Sequence, residues 1–421
     1  MTIQLLTGDV RDVLPTLADA SVHTVVTSPP YYGLRDYGTA LWDGGDAGCD
    51  HAPTGTDRGA RDELPKPPAG WAARAQGYAN GKHCQRCGAR RIDRQLGLES
   101  SPEEYLAAMV AVFREVRRVM RDDAVCFCNM GDGYRDKQLL LMPARLALAL
   151  QADGWWVRSD IIWAKPNPMP ESCTDRPTSA HEHVFLLTKR ARYWYDADAV
   201  REENSNPGLT ECATNWRDRP NNGEWPSGTG GRMGSVTAGR NLRNVWTIAT
   251  HAYPAAHFAT YPPELAERCI RAGTSERGCC AACGAPWQRI TDKTYPPTDR
   301  MPAPNKGNLG AFGERAANMT RDGFIPNREA VISTTGWSPS CQCNAGDPVP
   351  ATVLDPFCGA GTTLLVADRL QRHAIGIDLN ASYADLARRR IEADAPLFTS
   401  WPPAEPPEDE RMADLFAEAA E

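Results

Sequence analysis

The chain has 421 residues, 42% hydrophobic and 24% charged, an ordinary globular composition that excludes a wholly disordered protein. No apolar run reaches the roughly 18 residues of a membrane span, and no basic start leads into a long apolar stretch, so a cytoplasmic protein with no membrane partner is expected. Formal net charge is -7, but Pro402–Glu421 carries -6 of it, so the body is near neutral and can hold a local basic face.

The opening IQLLTGDVRDVLPTL predicts a short strand ending at Gly8-Asp9, then a short helix. VHTVVTSPPYYGLRDYG follows as a β-rich run that breaks at Pro29-Pro30. Residues 41–91 are rich in Gly, Pro and Arg and lack helical or strand periodicity, which predicts an inserted loop. Ser101–Arg121 is the clearest helix. Ser101 and Glu104 fit a capping box, Pro102 suits the first turn, and Leu106, Met109, Val110, Phe113, Val116, Val119 and Met120 make an apolar face. Ala124–Asn129 predicts a strand, Leu139–Gln151 a helix, and WWVRSDIIWAK and HEHVFLLTK two more strands. Ser205–Arg243 changes character, with seven Gly, two Trp and five Arg against three acids, the composition of a functional loop or a solvated insertion. Residues 286–340 are similar. From Val353 come a strand, a Gly-rich turn, a helix through Leu370, the strand HAIGID and a helix from Ala381. The alternation predicts an α/β fold with a mostly parallel sheet covered on both faces, followed by an acidic, Pro-rich and mobile tail over 396–421.

Fourteen cysteines are many for a reducing compartment, where close pairs suggest metal before disulfide. HCQRCGA and CCAACGA read as two knuckles, with small residues after the second Cys that let backbone amides turn toward the thiolates. Tetrahedral zinc needs four ligands. Cys49 and His51 with Cys84 and Cys87 complete one structural Zn2+ site; Cys280 and Cys283 with Cys341 and Cys343 complete another. His83 could replace His51, and Cys279 could replace Cys280.

Two constellations carry chemistry. In VLDPFCGAGTT a strand runs into Gly359-Ala360-Gly361 and then a helix, where free amides and absent side chains let a ligand approach the backbone. Nineteen residues after Gly359 stands Asp378, able to take both hydroxyls of a ribose. No Lys follows the glycines and position 364 is Leu, so neither a Walker loop nor a dinucleotide fingerprint fits. A ribonucleoside without pyrophosphate remains, and S-adenosylmethionine fits. The second constellation is Thr27-Ser28-Pro29-Pro30-Tyr31. An exocyclic base amine is a poor nucleophile because its lone pair is delocalised. The Ser28 hydroxyl and the Pro29 carbonyl can hold its two protons and aim the lone pair, while the prolines fix the backbone and Tyr31 offers an aromatic face to an extruded base. Taken alone, the tetrad reads equally well as a Pro-rich strand terminus with a surface Tyr.

Ser28–Tyr31 with Phe357-x-Gly359-x-Gly361 resembles the amino-DNA methyltransferases, in the permuted order of their β group, catalytic motif first and cofactor motif last. The resemblance extends to Gly8-Asp9, Trp156–Ala164, HEHVFLLTK, RNVWTI and HFATYPPEL. It implies a Rossmann-like methyltransferase sheet of seven strands with one antiparallel. S-adenosylmethionine is the implied cofactor, at Asp9, Pro262, Glu264, Asp355, Phe357, Gly359, Gly361, Thr362 and Asp378. The implied catalytic pocket is Ser28, Pro29, Pro30 and Tyr31. The implied organisation is a catalytic half over 1–40 and 92–204 and a cofactor-binding half over 244–278 and 344–395. Zinc-bearing insertions fall at 41–91 and 279–343, and a target-recognition segment at 205–243. Double-stranded DNA is the implied partner, with a cognate restriction endonuclease where such enzymes work in pairs.

Ser at the first tetrad position is similar to the cytosine-N4 enzymes, with adenine N6 as the alternative. Methylation of a cytosine ring carbon needs a thiolate, supplied in that family by a Pro-Cys pair, and no Pro here precedes Cys. More distant readings are an RNA or protein N-methyltransferase and a non-catalytic zinc-ribbon DNA-binding protein.

Overall fold

A computed structural model describes residues 1–34, 37, 39–46, 48–49, 83–84, 86–202, 240–251, 260–294 and 331–394. It falls into two compact units, one of Met1–Asp196, Arg243–Pro286 and Cys343–Glu421, the other of Ala197–Leu242 and Trp287–Gln342.

The larger unit is built on a sheet of eight strands among the described residues. In chain order these are β1 Ile3–Thr7, β2 Val22–Thr27, β3 Met120–Met130, β4 Trp156–Ala164, β5 His181–Thr188, β6 Val245–Thr247, β7 Thr352–Asp355 and β8 His373–Asp378. They lie side by side as β1-β8-β7-β2-β3-β5-β4-β6. Only β5 runs against the rest. The sheet therefore has one strand more than the seven expected. The addition is β6, three residues of the RNVWTI stretch, which pairs in parallel with the outer edge of β4. Trp246, 2% exposed, anchors it. Three residues are too few to show a period of two, so the sequence gives no strand signal there.

The helices of this unit are α1 Val10–Val13, α2 Pro102–Val119, α3 Met142–Ala152, α4 Pro263–Gly273, α5 Thr362–Arg369 and α6 Ala381–Asp394. At the start of α2 the Ser101 hydroxyl accepts from the Glu104 amide, as a capping box requires. The return bond differs, since the Glu104 carboxylate takes the amide and hydroxyl of Ser100 instead. Tyr105, Met109, Val112, Phe113, Val116 and Val119 form its buried stripe. They pack with Val25, Cys126, Cys128, Leu187, Leu354 and Ile377 of the strands. Burial of a side chain such as Phe113 contributes about 1.5–3 kcal/mol. From Ala124 to Met130 every residue of β3 is buried, the continuous run expected of a strand covered on both faces.

Two segments read as structureless carry ladders. The ends of the first insertion pair with each other, Leu41–Asp43 against Arg90–Ile92. In the smaller unit Trp287–Thr294 pairs antiparallel with Val331–Pro339. There the Arg289 guanidinium lies 4.5 Å over the Trp337 ring. Six of the eight residues from Trp287 to Thr294 are exposed, so no alternation of apolar and polar residues marks the strand. No helix among the described residues is long and apolar enough to cross a membrane.

Candidate active site

In open α/β sheets ligands sit beyond the carboxyl ends of the strands, where irregular backbone leaves amides and side chains unshared by the ladder. A cavity of about 1370 Å3 lies there. Its wall includes Gly8-Asp9 after β1, Ser28–Tyr31 after β2, Asn129 near the end of β3, Lys165 after β4, Phe357 and Gly359 after β7, and Asp378 at the end of β8. Glu182 joins them because β5 is reversed, which brings its first residues to the same edge. His181 stands opposite Ala164 and His183 opposite Met130. Both predicted constellations thus face one cavity.

A buried carboxylate locks their relation. Asp355, 1% exposed, accepts from the Thr27 hydroxyl at 2.7 Å, the Phe357 amide at 3.1 Å, the Thr363 hydroxyl at 2.7 Å and the Tyr261 hydroxyl at 3.0 Å. Thr27 immediately precedes Ser28, and Phe357 begins the glycine turn. One side chain therefore ties the two motifs, and its oxygens are filled by protein donors. Asp355 itself is not on the cavity wall, and neither are Gly361, Pro262 and Glu264. Gly361 caps α5 and packs on Ala387. Pro262 caps α4, and Glu264 pairs with Arg268 at 2.7 Å. Thr260 and Tyr261, just before α4, line the cavity instead.

On the glycine-turn side, Asp378 accepts from the Gly359 amide at 2.9 Å and the Asn380 amide at 2.8 Å. Each oxygen keeps a lone-pair direction for a further donor. Burial pushes its pKa up to about 6, against the two amides, with the Asp355 charge adding to the rise. Tyr37 and Tyr383, also on the cavity wall, stand edge to face with ring centres 6.4 Å apart. Thr362 is on the wall, with its hydroxyl taken by Arg390 at 2.9 Å. Asp9 also lines the cavity, but its carboxylate is clamped by Arg11 at 2.6 Å and Arg94 at 2.8 Å and caps α1. Burial alone would raise its pKa; the Arg11 hydrogen bonds and the two charges outweigh that and hold it below the usual range.

On the tetrad side, the Ser28 and Tyr31 hydroxyls are 3.0 Å apart. The Tyr31 hydroxyl donates to Glu182 Oε2 at 2.7 Å. Asn129 Nδ2 reaches Tyr31 at 2.9 Å and Glu182 Oε2 at 2.7 Å, and Lys165 Nζ meets Glu182 Oε1 at 2.5 Å. The Tyr105 hydroxyl donates to the Pro30 carbonyl at 2.8 Å, fixing the peptide after the two prolines. A Cβ on Gly131 would stand 2.6 Å from the Tyr31 ring, so glycine is needed for the ring to lie there. Burial, then the Glu182 charge, pushes the Tyr31 phenol well above its ordinary pKa, so it stays protonated.

Sequence reasoning missed Asn129, Lys165 and Glu182. Each lies in a stretch read as strand, and no spacing along the chain links them. Asn129, a polar residue within the apolar run Ala124–Met130, was the available signal.

The knuckles share one geometry. Cys84 N–H donates to Ala89 and Gly88 N–H to Cys84; Cys280 N–H donates to Ala285 and Gly284 N–H to Cys280. Gly88 and Gly284 have φ of 75° and 69°, the left-handed turn that bends the amides back. The sulfurs of Cys49, Cys84 and Cys87 lie within 4.8 Å of one another, as do those of Cys280, Cys283 and Cys343. Three sulfurs converging on one point make a donor set that fits zinc. His51 lies outside the described residues, and Cys341 belongs to the smaller unit, two residues before Cys343. Cys279 is engaged elsewhere, at the Val349 carbonyl, which favours Cys280 as the ligand.

A family model described as DNA methylase matches residues 22–281 and 347–389. The chain is 29% identical over 419 residues to the type II methyltransferase M.Cfr9I of Citrobacter freundii, covering 93% of this chain and 88% of that one. It is 27% identical over 417 residues to the type II methyltransferase M.SmaI of Serratia marcescens, covering 92% and 90%. The solved PvuII DNA methyltransferase (cytosine-N4-specific) superposes with a TM-score of 0.47 at 14% identity, over 93% of this chain and 86% of that one.

Proposed function

The chain belongs to the DNA methylase family, and from that membership we propose that it transfers the methyl group of S-adenosylmethionine to the exocyclic amine of a base turned out of double-stranded DNA, with cytosine N4 preferred and adenine N6 the alternative. The observation that carries this reading is the shared cavity, walled by Ser28–Tyr31 on one side and by Phe357, Gly359 and Asp378 on the other. A methyl donor and an amine acceptor need that adjacency, because the transfer is a single displacement between atoms in contact.

Bound S-adenosylmethionine supplies an electrophilic methyl on a sulfonium. Asp378 would accept from its ribose, Phe357 would pack on it, and Gly359 would leave room for it. The Tyr37–Tyr383 pair offers a further aromatic wall to the cavity. Ser28 and the Pro29 carbonyl would take the two amine protons and direct the lone pair. The preference for cytosine rests on Ser28 as a neutral acceptor in the first tetrad position. The segment 205–243 would read the DNA sequence; its residues 205–239 lie outside the described ones. The type II names of the relatives favour a restriction-modification setting with a cognate endonuclease. Zinc held by the two knuckles, with His51 and Cys341 as the fourth ligands, would staple the insertions.

Sequencing the methylome of a plasmid expressed with the protein tests the reading and reports base and context together. N4-methylcytosine is expected. N6-methyladenine would replace the preferred base, and an unmodified plasmid would remove the function.

A further inference from the structure

The polar cluster beside Ser28 has a direction. A phenol carries one proton, and Tyr31 spends it on Glu182 Oε2 at 2.7 Å. The 3.0 Å contact between Tyr31 and Ser28 must then be donated by Ser28. Asn129 enforces the same polarity. Its Nδ2 donates toward the Tyr31 oxygen and Glu182 Oε2, whereas an amide oxygen placed there would face a carboxylate. The Asn129 carboxamide oxygen is buried without a hydrogen-bond partner, so the side chain is held through its nitrogen alone. Lys165 Nζ pairs with the far oxygen of Glu182, Oε1, at 2.5 Å, which leaves Oε2 to the phenol. Every hydrogen in the chain therefore points from the Ser28 end to Glu182. The Ser28 oxygen, which also takes a long 3.4 Å contact from Asn129 Nδ2, keeps a lone pair for a donor in the cavity that it lines.

We propose that Ser28, Tyr31 and Glu182 form a proton relay that carries the proton lost by the target amine to the Glu182 carboxylate. The relay rests on the methyl-transfer reading above and adds a destination for the proton that reading leaves unassigned. As the amine nitrogen bonds to the methyl carbon, the carbon–sulfur bond breaks and its electron pair stays on sulfur as a thioether. The nitrogen, now bearing excess positive charge, gives a proton to Ser28 Oγ. Ser28 gives its own proton to the Tyr31 oxygen, and Tyr31 gives its own to Glu182 Oε2. Ser28 and Tyr31 end neutral, Glu182 ends protonated, and the amine ends as a neutral methylated amine. Glu182 also lines the cavity, so water can take the proton once product leaves. Tyr31 suits the middle position because burial beside Glu182 keeps its phenol neutral across the working pH range. Transfer along a preset chain removes charge from nitrogen while the new bond forms, which lowers the barrier most for an amine with a delocalised lone pair.

The test is single-turnover transfer of tritiated methyl from S-adenosylmethionine to plasmid DNA from a methylation-free host, measured across pH in water and deuterium oxide. Wild type should show a solvent isotope effect and a rate that depends on pH. Glu182→Gln should slow transfer about 10^2-fold or more, with cofactor affinity by calorimetry near wild type. Its isotope effect should vanish, and its rate should recover as hydroxide rises. Tyr31→Phe should do the same, and the double variant should be no slower than either single one, because all three interrupt one path. Glu182→Asp should retain part of the rate and the pH dependence. Wild-type rates in Glu182→Gln, or a loss traced wholly to weaker cofactor binding with the pH profile unchanged, would overturn the relay and leave methyl transfer intact. Should Glu182→Gln not fold, Tyr31→Phe with an unaltered pH profile overturns it equally. A wild-type protein that labels no DNA overturns the methyl-transfer reading and the relay together.

Discussion

Ser28 touches Tyr31 and Asn129 and faces the cavity, while the link toward the glycine turn runs from its neighbour Thr27 through Asp355. Ser28→Ala should therefore lower methyl transfer by about 10^2–10^3-fold with cofactor affinity close to wild type, read by single-turnover kinetics beside calorimetry. Weak cofactor binding in that variant would take Ser28 out of the amine-holding role. Asp378 predicts the complementary effect. Its pKa of about 6 leaves it ionised at neutral pH, able to accept from ribose hydroxyls. As pH falls through 6 it protonates and loses acceptor capacity, so the dissociation constant for S-adenosylmethionine should rise. Asp378→Asn should bind weakly and flatten that pH dependence. The same shift has the opposite sense for stability. A carboxyl raised above its unfolded value favours the fold at low pH, and that contribution is lost as pH rises through about 6. Asp9 marks the limit of residue-level reading. Its place beside the cavity followed from the sequence, but the two arginines that occupy its carboxylate come from positions 11 and 94, and no pattern along the chain pairs them with it.

The second knuckle is docked on the sheet through β2 and β7. His23 Nδ1 accepts from the Thr352 amide at 3.0 Å, and Nε2 donates to the Gly284 carbonyl at 3.1 Å. Arg121 adds a bond to the Cys283 carbonyl. With one ring nitrogen accepting, His23 must be neutral. Burial, then the Arg121 charge, lowers its pKa to about 4. The folded value lies below the unfolded one, so its stabilising contribution is complete above pH about 6.5 and fades as pH falls toward 4. The loss is on the order of 3 kcal/mol. Urea unfolding between pH 7 and 4 should show that loss, and His23→Gln should remove most of the slope; an unchanged slope would dismiss the histidine as its source. Legibility at this level follows the strength of periodicity. The helix α2 was readable because one face is buried and one end is capped by Ser101. The hairpin of Trp287–Thr294 and Val331–Pro339 was not, because a strand with little buried face has no apolar alternation to display.

The sheet interleaves the two ends of the chain, since β7 and β8 lie between β1 and β2. That placement sets the glycine turn beside the Ser-Pro-Pro-Tyr segment although more than three hundred residues separate them. The cysteine clusters could hold metal, and metal analysis should find two zinc ions per chain. Cys84→Ser and Cys280→Ser should each lower the count to one; an unchanged count would remove that ligand set. Alone, the amino-acid sequence carried the α/β class, the long helix, the knuckles, the glycine turn and the tetrad, because each depends on neighbours a few residues apart. Folding supplied the eighth strand, the Asp355 bolt between the motifs and the Asn129–Lys165–Glu182 cluster. These arise where strands remote in sequence end at one edge, and one of them, β5, arrives there only because it runs backwards.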